Sequence, residues 1–391
     1  MKRIAILLIL LMTLGMSAAA EEGKDITSAC KLAGSGMNRE ELHKCLDGRY
    51  TTWSSLRKDG TLTIDGDGRE LGGLFLRIYE RVTTFRVEAF DGTDWTACGE
   101  GTAHLTDWYP LPEGTQQARL VNTDKGRLFL AELQVYSPGE KPEDVHSWVD
   151  LEKADLMLVS CHPDDELLWF GGLLPTYAGQ RGLRVQQVTV VPSTPQRRLE
   201  LLDGLWHCGV TAYPVFLNMK DSSTHTLSAQ YKKWNKSTLY ERVTAVIRRF
   251  KPEVVVTHDL YGEYGHGGHR ATADAVTHAV SLAANADKYK DSLREYGTWQ
   301  VLKCYVHLYD QGTLQFDWHQ PLEAFGGRDG LKVATEALAF HRSQTAHGWA
   351  MEDGGDNNNA VFGLYYTAVG PDEDKNDLME HIILVEETSA E

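Results

Sequence analysis

The segment LMLVSCHPDDE, residues 156–166, joins a short apolar run to a cluster of polar residues that can bind a metal ion. The run from Leu156 to Ser160 is almost continuously apolar, which is typical of a parallel strand covered on both faces. Pro163 is favoured at the first position of a helix. We therefore predict a strand that turns into a helix, with His162 and Asp165 spaced to converge on one ion. Taken alone, the acidic residues are equally explained as complements to the dipole of a helix N-terminus.

A second motif, GHGGH at residues 265–269, follows another apolar run and favours the metal site. With His162 and Asp165, His269 would complete a set of three protein ligands and leave a position open for water, as in catalytic zinc sites. Iron can occupy similar nitrogen and oxygen sites. Asp164 lies next to a ligand and is a candidate base. Cys161 is expected to face away from the ion and to pack as a small buried hydrophobe.

The second part of the chain alternates predicted strands with predicted helices. This alternation predicts an α/β doubly wound domain with a mostly parallel sheet, in which ligands bind beyond the carboxyl ends of the strands. Both motifs follow strand ends, so the fold and the site agree. The predicted strands are 156–160, 183–191, 213–217, 253–257 and 301–308, and the predicted helices are 166–180, 196–207, 237–250 and 269–284.

The first part of the chain has short alternating runs separated by Gly, Asp and Pro. Alternation of period two with frequent turns predicts an all-β sandwich over residues 24–137. Residues 138–149 are rich in turn formers and charge, and we predict a linker there. Four aromatic residues are candidates for stacking on a sugar, although packing is the more common role of any single one: Trp53, Trp95, Trp108 and Tyr109.

The chain begins with a basic pair, Lys2 and Arg3, followed by an apolar run and an Ala-rich stretch. This arrangement predicts a signal peptide over residues 1–20 and a secreted or periplasmic protein without a stable membrane span after cleavage. The formal charge of −16 argues against a nucleic-acid partner. In an exported protein, Cys30 and Cys45 form the most plausible disulfide.

Several motifs of the domain at 150–391 resemble the LmbE/PIG-L family of zinc-dependent de-N-acetylases, whose catalytic domain is Rossmann-like. The resemblance covers roughly residues 150–385. It rests on the segments DLMLVSCHPDDE (155–166), FGG (170–172), RRLEL (197–201), CGV (208–210), NMKDS (218–222), THD (257–259), GHGGH (265–269) and HRSQ (341–344).

The resemblance implies a role for each matching residue. It makes His162, Asp165 and His269 the zinc ligands and Asp164 the general base. His266, cationic at the start of the reaction, would protonate the leaving amine or stabilise the oxyanion.

Further roles follow for residues around this set. Arg197 and Asp221 become candidate substrate contacts, although a solvated arginine and a turn aspartate explain them equally well. His258 and Asp259 are expected in a second shell that orients a ligand histidine. Many relatives have Pro-Asp where this chain has Gly267-Gly268, and two glycines are expected to loosen the loop.

The first part of the chain resembles discoidin-like, galactose-binding-type modules, on the segments LDGRYTTW (46–53) and AELQVY (131–136). Such modules often bind glycans. Together the resemblances imply a secreted, zinc-dependent amidase that removes the N-acetyl or another N-acyl group of an amino sugar in a glycan or glycoconjugate. The alternatives are an exported carbohydrate-binding protein with a disused hydrolase domain, and an amidase acting on a small sugar conjugate.

Overall fold

The computed structural model describes residues 21–80 and 84–384, so the predicted signal peptide at residues 1–20 lies outside the described residues. Two β-sheets organise the described chain, one of eight strands and one of seven. No helix within the described ranges is both long and apolar enough to cross a membrane.

The first sheet is antiparallel throughout, with strand order β5-β4-β7-β2-β8-β3-β6 and β1 paired to β2. Alternating burial along its strands, as in β7, places one face in the core. Its strands are β1 (Lys31–Met37), β2 (Ser54–Asp65), β3 (Gly73–Ile78), β4 (Phe85–Phe90), β5 (Trp95–Glu100), β6 (Thr106–Pro110), β7 (Gln117–Asn122) and β8 (Leu128–Tyr136).

A single long strand explains why the expected two-sheet sandwich is one nearly closed sheet. The start of β2, Ser54 to Leu56, pairs with β8, whereas its end, Thr61 to Asp65, pairs with β7. β2 therefore joins strands that would otherwise form two separate sheets. The two edge strands, β5 and β6, come close together. The ring of Tyr109 in β6 lies 2.8 Å from the point that a Cβ on Gly99 in β5 would occupy.

The four aromatic residues considered for sugar stacking all pack against other side chains. Trp53 stacks on Tyr79 with ring centroids 4.2 Å apart. Trp95 lies beside Phe90 and under the guanidinium of Arg119, Trp108 meets Tyr136 edge to face, and Tyr109 meets Phe85. Packing thus accounts for these rings.

The predicted disulfide between Cys30 and Cys45 is not formed, and both residues are free thiols. Each thiol instead contacts a carbonyl oxygen one helical turn before it along the chain. Cys30 Sγ lies 3.4 Å from Ile26 O, and Cys45 Sγ lies 3.3 Å from Leu42 O. Cys45 is fully buried. The local contacts orient each sulfur toward its own turn.

The second sheet is mostly parallel, with strand order β11-β10-β9-β12-β13-β15-β14. β15 is antiparallel to both β13 and β14, and the other pairs are parallel. Its strands are β9 (Leu156–Ser160), β10 (Val185–Thr189), β11 (Val215–Phe216), β12 (Val254–Thr257), β13 (Lys303–His307), β14 (Thr313–Gln315) and β15 (Val361–Thr367). The α-helices are α1 (Asp165–Leu168), α2 (Pro195–His207), α3 (Leu227–Gln230), α4 (Lys236–Phe250), α5 (Gly267–Ala284), α6 (Lys290–Tyr296), α7 (Gly330–Leu338) and α8 (Arg342–Thr345).

Helices cover both faces of the second sheet. Successive residues of β9 point to opposite faces, so Leu158 joins a core that includes Leu202 of α2, while Val159 joins a core that includes Val243 of α4 and Ala275 of α5. The predicted helix at 166–180 is interrupted. α1 ends at Leu168, Gly171 has a left-handed backbone with φ of 52°, and a separate helical segment spans Pro175–Gln180.

The segment predicted as a linker, residues 138–149, is packed between the two sheets. Val145, His146 and Trp148 are buried, and the indole Nε1–H of Trp148 donates to Thr106 Oγ1 at 2.8 Å. The turn-forming and charged residues of this segment predicted an exposed linker, but three of its side chains are buried. The boundaries 24–137 and 150–391 stay predictions.

Candidate active site

Three adjacent parallel strands bring their carboxyl ends to the same edge of the second sheet. Cys161 and His162 follow β9, His258 follows β12, and β13 ends at His307. Because neighbouring parallel strands present their ends together, residues distant in sequence meet at this edge. His307 was missed by sequence reasoning. Its only signal is its position at the end of a predicted strand.

Two of the three predicted metal ligands, His162 and His269, lie beside a carboxylate oxygen of the third, Asp165. Asp165 Oδ2 lies 3.2 Å from His162 Nδ1 and 3.3 Å from His269 Nε2. Ligand atoms bound at about 2.0–2.1 Å to a tetrahedral zinc are roughly 3.3 Å apart. His269 Nε2 is buried and has no hydrogen-bond partner among the described residues. The donor set and its spacing therefore fit a divalent metal ion.

Cys161 lies closer to this group than the sequence suggested. It packs in the core as expected, but its Sγ lies 3.7 Å from His162 Nε2 and belongs to the group that could hold a metal, with His162, Asp165 and His269. Burial, followed by the charge of Asp165, raises the pKa of the Cys161 thiol well above its usual range. A raised pKa favours the protonated thiol, which binds metals less well than a thiolate.

A buried carboxylate, Glu263, connects three histidines of the site. Its Oε2 accepts hydrogen bonds from His258 Nδ1 at 2.8 Å and from His269 Nδ1 at 2.7 Å. Its Oε1 lies 2.7 Å from His307 Nδ1 and accepts the backbone N–H of Asp259 at 3.1 Å. Burial opposes ionisation, but the hydrogen bonds from His258, His269 and His307 hold the pKa of Glu263 well below its usual range.

Glu263 occupies the position that sequence reasoning expected for Asp259. A carboxylate behind a ligand histidine fixes the tautomer and the orientation of the ring. His258 lies where the second-shell prediction put it, since its ring stacks on His269 with centroids 4.2 Å apart and its Nε2 accepts the backbone N–H of Cys161. No motif singled out Glu263, because its contacts come from the ends of two strands, β12 and β13, and from the first turn of α5.

The candidate base, Asp164, is held in a strained backbone with φ of 123°. Its Oδ1 lies 2.5 Å from Arg197 Nη2, and its backbone N–H donates to Glu166 Oε2 at 2.8 Å. Burial and the charge of Asp165 raise the pKa of Asp164 to about 7, while Arg197 lowers it. Arg197, considered as a substrate contact, thus has Asp164 as its charge partner.

His266 stands at the start of α5, beside two candidate ligands. Its ring centroid is 5.0 Å from that of His162 and 4.6 Å from that of His269. Burial, then the charges of His269 and His162, lower the pKa of His266 to about 3. The lowered pKa favours the neutral imidazole, whereas the sequence led us to expect a cationic one at the start of the reaction.

The Gly267-Gly268 pair is closely packed and forms the first turn of α5, contrary to the expected loose loop. The N–H of Gly267 donates to Thr224 O at 2.7 Å. A Cβ on Gly267 would lie 2.0 Å from Thr224 Oγ1, and one on Gly268 would lie 2.9 Å from Cys161 Sγ. The glycines thus allow close approach of neighbouring groups.

These groups open into a pocket of about 160 Å³. Asp221, considered as a substrate contact, lines it with a half-exposed side chain, and its Oδ1 is 3.7 Å from His162 Nε2. Three aromatic rings that sequence reasoning missed also line it: Trp169, Tyr264 and Trp349. Trp169 Nε1–H donates to Asp165 Oδ1 at 2.9 Å, which holds the carboxylate in place.

The late HRSQ element also reaches the site. His341 Nε2 lies 2.9 Å from Glu166 Oε1, and both side chains are fully buried. Gln344 lines the pocket. The element therefore supports the loop that carries Asp164 and Asp165.

Comparisons with known proteins agree with this site. Residues 157–280 match the sequence model of the PIG-L family, described as GlcNAc-PI de-N-acetylase. Over 179 residues the chain is 34% identical to a 1D-myo-inositol 2-acetamido-2-deoxy-alpha-D-glucopyranoside deacetylase of Mycobacteroides abscessus, covering 38% of this chain and 58% of that protein. The chain spans a little over half the length of the curated relatives it matches.

Two solved structures are more distantly similar. The N,N'-diacetylchitobiose deacetylase of Pyrococcus horikoshii is 18% identical, with 50% of this chain and 71% of that chain covered and a TM-score of 0.37. A family 32 carbohydrate-binding module of C. perfringens NanJ, in complex with galactose, is 14% identical, with 29% of this chain and 99% of that chain covered and a TM-score of 0.26. The sequence matches show that part of the C-terminal half of the chain is similar to PIG-L-family deacetylases.

Proposed function

We propose that the protein is an exported, zinc-dependent amidase that removes the N-acetyl group of an amino sugar in a glycan or glycoconjugate. The observation that carries this proposal is the convergence of His162, Asp165 and His269 at one point beside Asp164. The curated relatives support the reaction, because their names describe deacetylases of an acetylated amino sugar. Iron is the alternative metal, since the ligands are nitrogen and oxygen atoms.

His162, Asp165 and His269 would hold the metal, which supplies Lewis acidity toward the amide carbonyl and toward water. Asp164, whose pKa is raised to about 7 by burial and by the charge of Asp165, takes the proton of the attacking water as the general base. Arg197 keeps Asp164 in place and favours its ionised form. A neutral His266 can donate a hydrogen bond to the developing oxyanion, which is the second of the two roles considered for it.

We assign the C-terminal half to the doubly wound, Rossmann-like class, and the β-rich first half to discoidin-like, carbohydrate-binding modules. The parallel strands β9 to β13 and the helices on both sheet faces support the first assignment. The motif at residues 46–53 supports the second. A module that holds a polymer raises its effective concentration at the pocket.

A small amino-sugar conjugate is the second candidate substrate. The curated relatives favour it, because their named substrate is an acetylated glucosamine linked to inositol. A comparison of such a conjugate with N-acetylated oligosaccharides, each at equal concentration, separates the two substrate classes.

The deciding experiment is a screen for acetate release from defined N-acetylated sugars, with zinc restored to the purified protein. We expect release from at least one amino sugar, and loss of about two orders of magnitude or more in kcat for Asp164→Asn at unchanged metal content. Stoichiometric zinc without hydrolysis of any amide would contradict the proposal and favour a carbohydrate-binding protein with a disused hydrolase domain.

A further inference from the structure

Aromatic rings form one side of the pocket that contains the candidate metal ligands. The ring centroid of Tyr264 lies 5.3 Å from that of Trp349 and 5.6 Å from that of Trp169, and Trp169 lies 6.2 Å from Trp349. We call Tyr264 and Trp349 the aromatic ledge. The ledge adjoins the polar groups, since Tyr264 also lies 5.5 Å from His269.

The ledge is exposed, in contrast to the aromatic residues of the first sheet. Tyr264 is 48% exposed and Trp349 is 37% exposed, whereas Trp169 behind them is 5% exposed. Adjacent large rings left open to water commonly mark a site where a ligand covers them. Tyr261, in the same loop as Tyr264, is 75% exposed.

The two ledge residues lie in turns where the backbone φ is positive, at Tyr264 itself and at Gly348 just before Trp349. Tyr264 has a left-handed backbone, with φ of 45° and ψ of 23°, between Gly262 and Gly265, which also have positive φ. Asn357 Oδ1 accepts the backbone N–H of Tyr264 at 3.4 Å. Gly348, with φ of 86°, turns the chain just before Trp349. Of these residues only Tyr264 is strained, since glycine adopts positive φ freely, and strained non-glycine positions concentrate at ligand sites.

The pocket is too small to enclose a ligand of several sugar rings, so part of such a ligand would lie outside it. Its volume of about 160 Å³ is below the roughly 300–1,000 Å³ that usually encloses a drug-sized ligand. A ligand of two or more sugar rings therefore extends beyond it, onto the neighbouring surface. An aromatic ring offers a large apolar area to the apolar face of a pyranose.

We propose that the aromatic ledge binds the pyranose ring next to the acetylated sugar, so that the preferred substrate is an oligosaccharide or polysaccharide. This inference rests on the proposed deacetylase function. Asp221 and Gln344, which line the same pocket, are placed to meet hydroxyl groups. A small conjugate without a second sugar ring would gain less from the ledge.

The test compares Trp349→Ala with wild type on N-acetylglucosamine and on a panel of its disaccharides. Loss of one stacked ring should lower kcat/KM for the preferred disaccharide by about tenfold, through KM, because an aromatic contact of this kind has roughly that effect on affinity. The monosaccharide should lose less than the disaccharide, because it has no second ring to lie on the ledge, and Trp349→Phe should retain most of the activity. An equal loss on monosaccharide and disaccharide, or no loss on either, overturns the proposal.

Calorimetric binding of the disaccharide separates failure of the ledge from failure of the deacetylase function. If wild type releases no acetate, the proposed function fails, yet weaker disaccharide binding by Trp349→Ala still supports the ledge. Equal binding by the two proteins overturns it. Tyr365→Ala is the matched control, because Tyr365 is 40% exposed but lies on β15, outside the pocket lining.

Discussion

At the scale of single residues, the charge of Asp164 is set by neighbours that act in opposite directions. Burial and the charge of Asp165 raise its pKa, and Arg197, with Nη2 2.5 Å from Asp164 Oδ1, lowers it. The base acts as the carboxylate, so activity should rise as pH rises through this pKa. A bound cation nearby lowers the pKa further.

Arg197→Gln should move the acid limb of the kcat/KM profile to higher pH. Loss of the cation should raise the pKa of Asp164 by about one unit, as expected for a close charge partner. The carboxylate then forms only at higher pH. The measurement is a pH profile at saturating metal. Arg198→Gln is the control, because Arg198 Nη2 donates to Glu80 O. An unmoved limb would show that Arg197 does not tune the base.

Glu263→Gln should weaken metal binding by about 10–100-fold, the usual effect of losing a carboxylate behind a ligand histidine. The glutamine keeps the size but replaces one accepting oxygen with a donor facing histidine N–H groups. Chelator competition measures the affinity. Asp259→Asn should have little effect, since Asp259 reaches Glu263 through its backbone N–H. Equal losses in both variants would return the orienting role to Asp259.

At the scale of elements, the first turn of α5 is positioned by the Thr224 segment. The N–H of Gly267 donates to Thr224 O, and the space for a side chain at residue 267 is filled by the threonine. This contact places His266 and His269, at the start of the same helix, against the end of β9. The close approach explains why residue 267 is a glycine.

Gly267→Ala should destabilise the protein by about 1–3 kcal/mol, as overpacking of a close contact does. Urea unfolding measures the change. Thr224→Ala in the same chain should restore part of the loss, because Thr224 Oγ1 is removed while Thr224 O remains 3.0 Å from the new Cβ. Additive effects of the two substitutions would show that the residues do not interact.

At the scale of the whole molecule, Asp203 of α2 ties the second sheet's helices to the first sheet. The hydroxyl of Tyr50 donates to Asp203 Oδ2 at 2.5 Å, Arg77 Nη2 lies 3.2 Å from Oδ1, and His146 Nε2 lies 3.3 Å from Oδ1. Asp203 is 7% exposed. A buried charge with these partners links the β-rich half to the α/β half, and one of the partners, His146, belongs to the packed connection at 138–149.

Asp203→Asn should cost about 3 kcal/mol or more, because it leaves the Arg77 cation buried without its counter-charge. Tyr50→Phe, which removes one hydrogen bond, should cost about 1 kcal/mol. Chemical unfolding followed by tryptophan fluorescence measures both. Similar small losses in the two variants would mean that solvent reaches Arg77 and that the ion pair contributes little.

Much of the α/β half was predictable because local pattern and burial coincide there. The run at 156–160 is a strand with the predicted bounds, and the helices at 196–207 and 237–250 differ by one residue at their starts. The first sheet was less predictable. The pairing of β2 with both β7 and β8 depends on contacts between distant strands, which alternation along one strand does not encode.

The sequence by itself determined the elements that carry the site, and the types and spacing of its candidate ligands, His162, Asp165 and His269. Hydrophobic periodicity and turn residues act over a few positions, so the strands and helices that they specify can be predicted from the sequence. Only the tertiary structure decided that Glu263 and His307 meet behind these ligands, that burial lowers the pKa of His266, and that Tyr264 and Trp349 form the edge of the pocket. The reason is physical, since hydrogen-bond partners, desolvation and exposure are set by which strand ends and loops lie side by side.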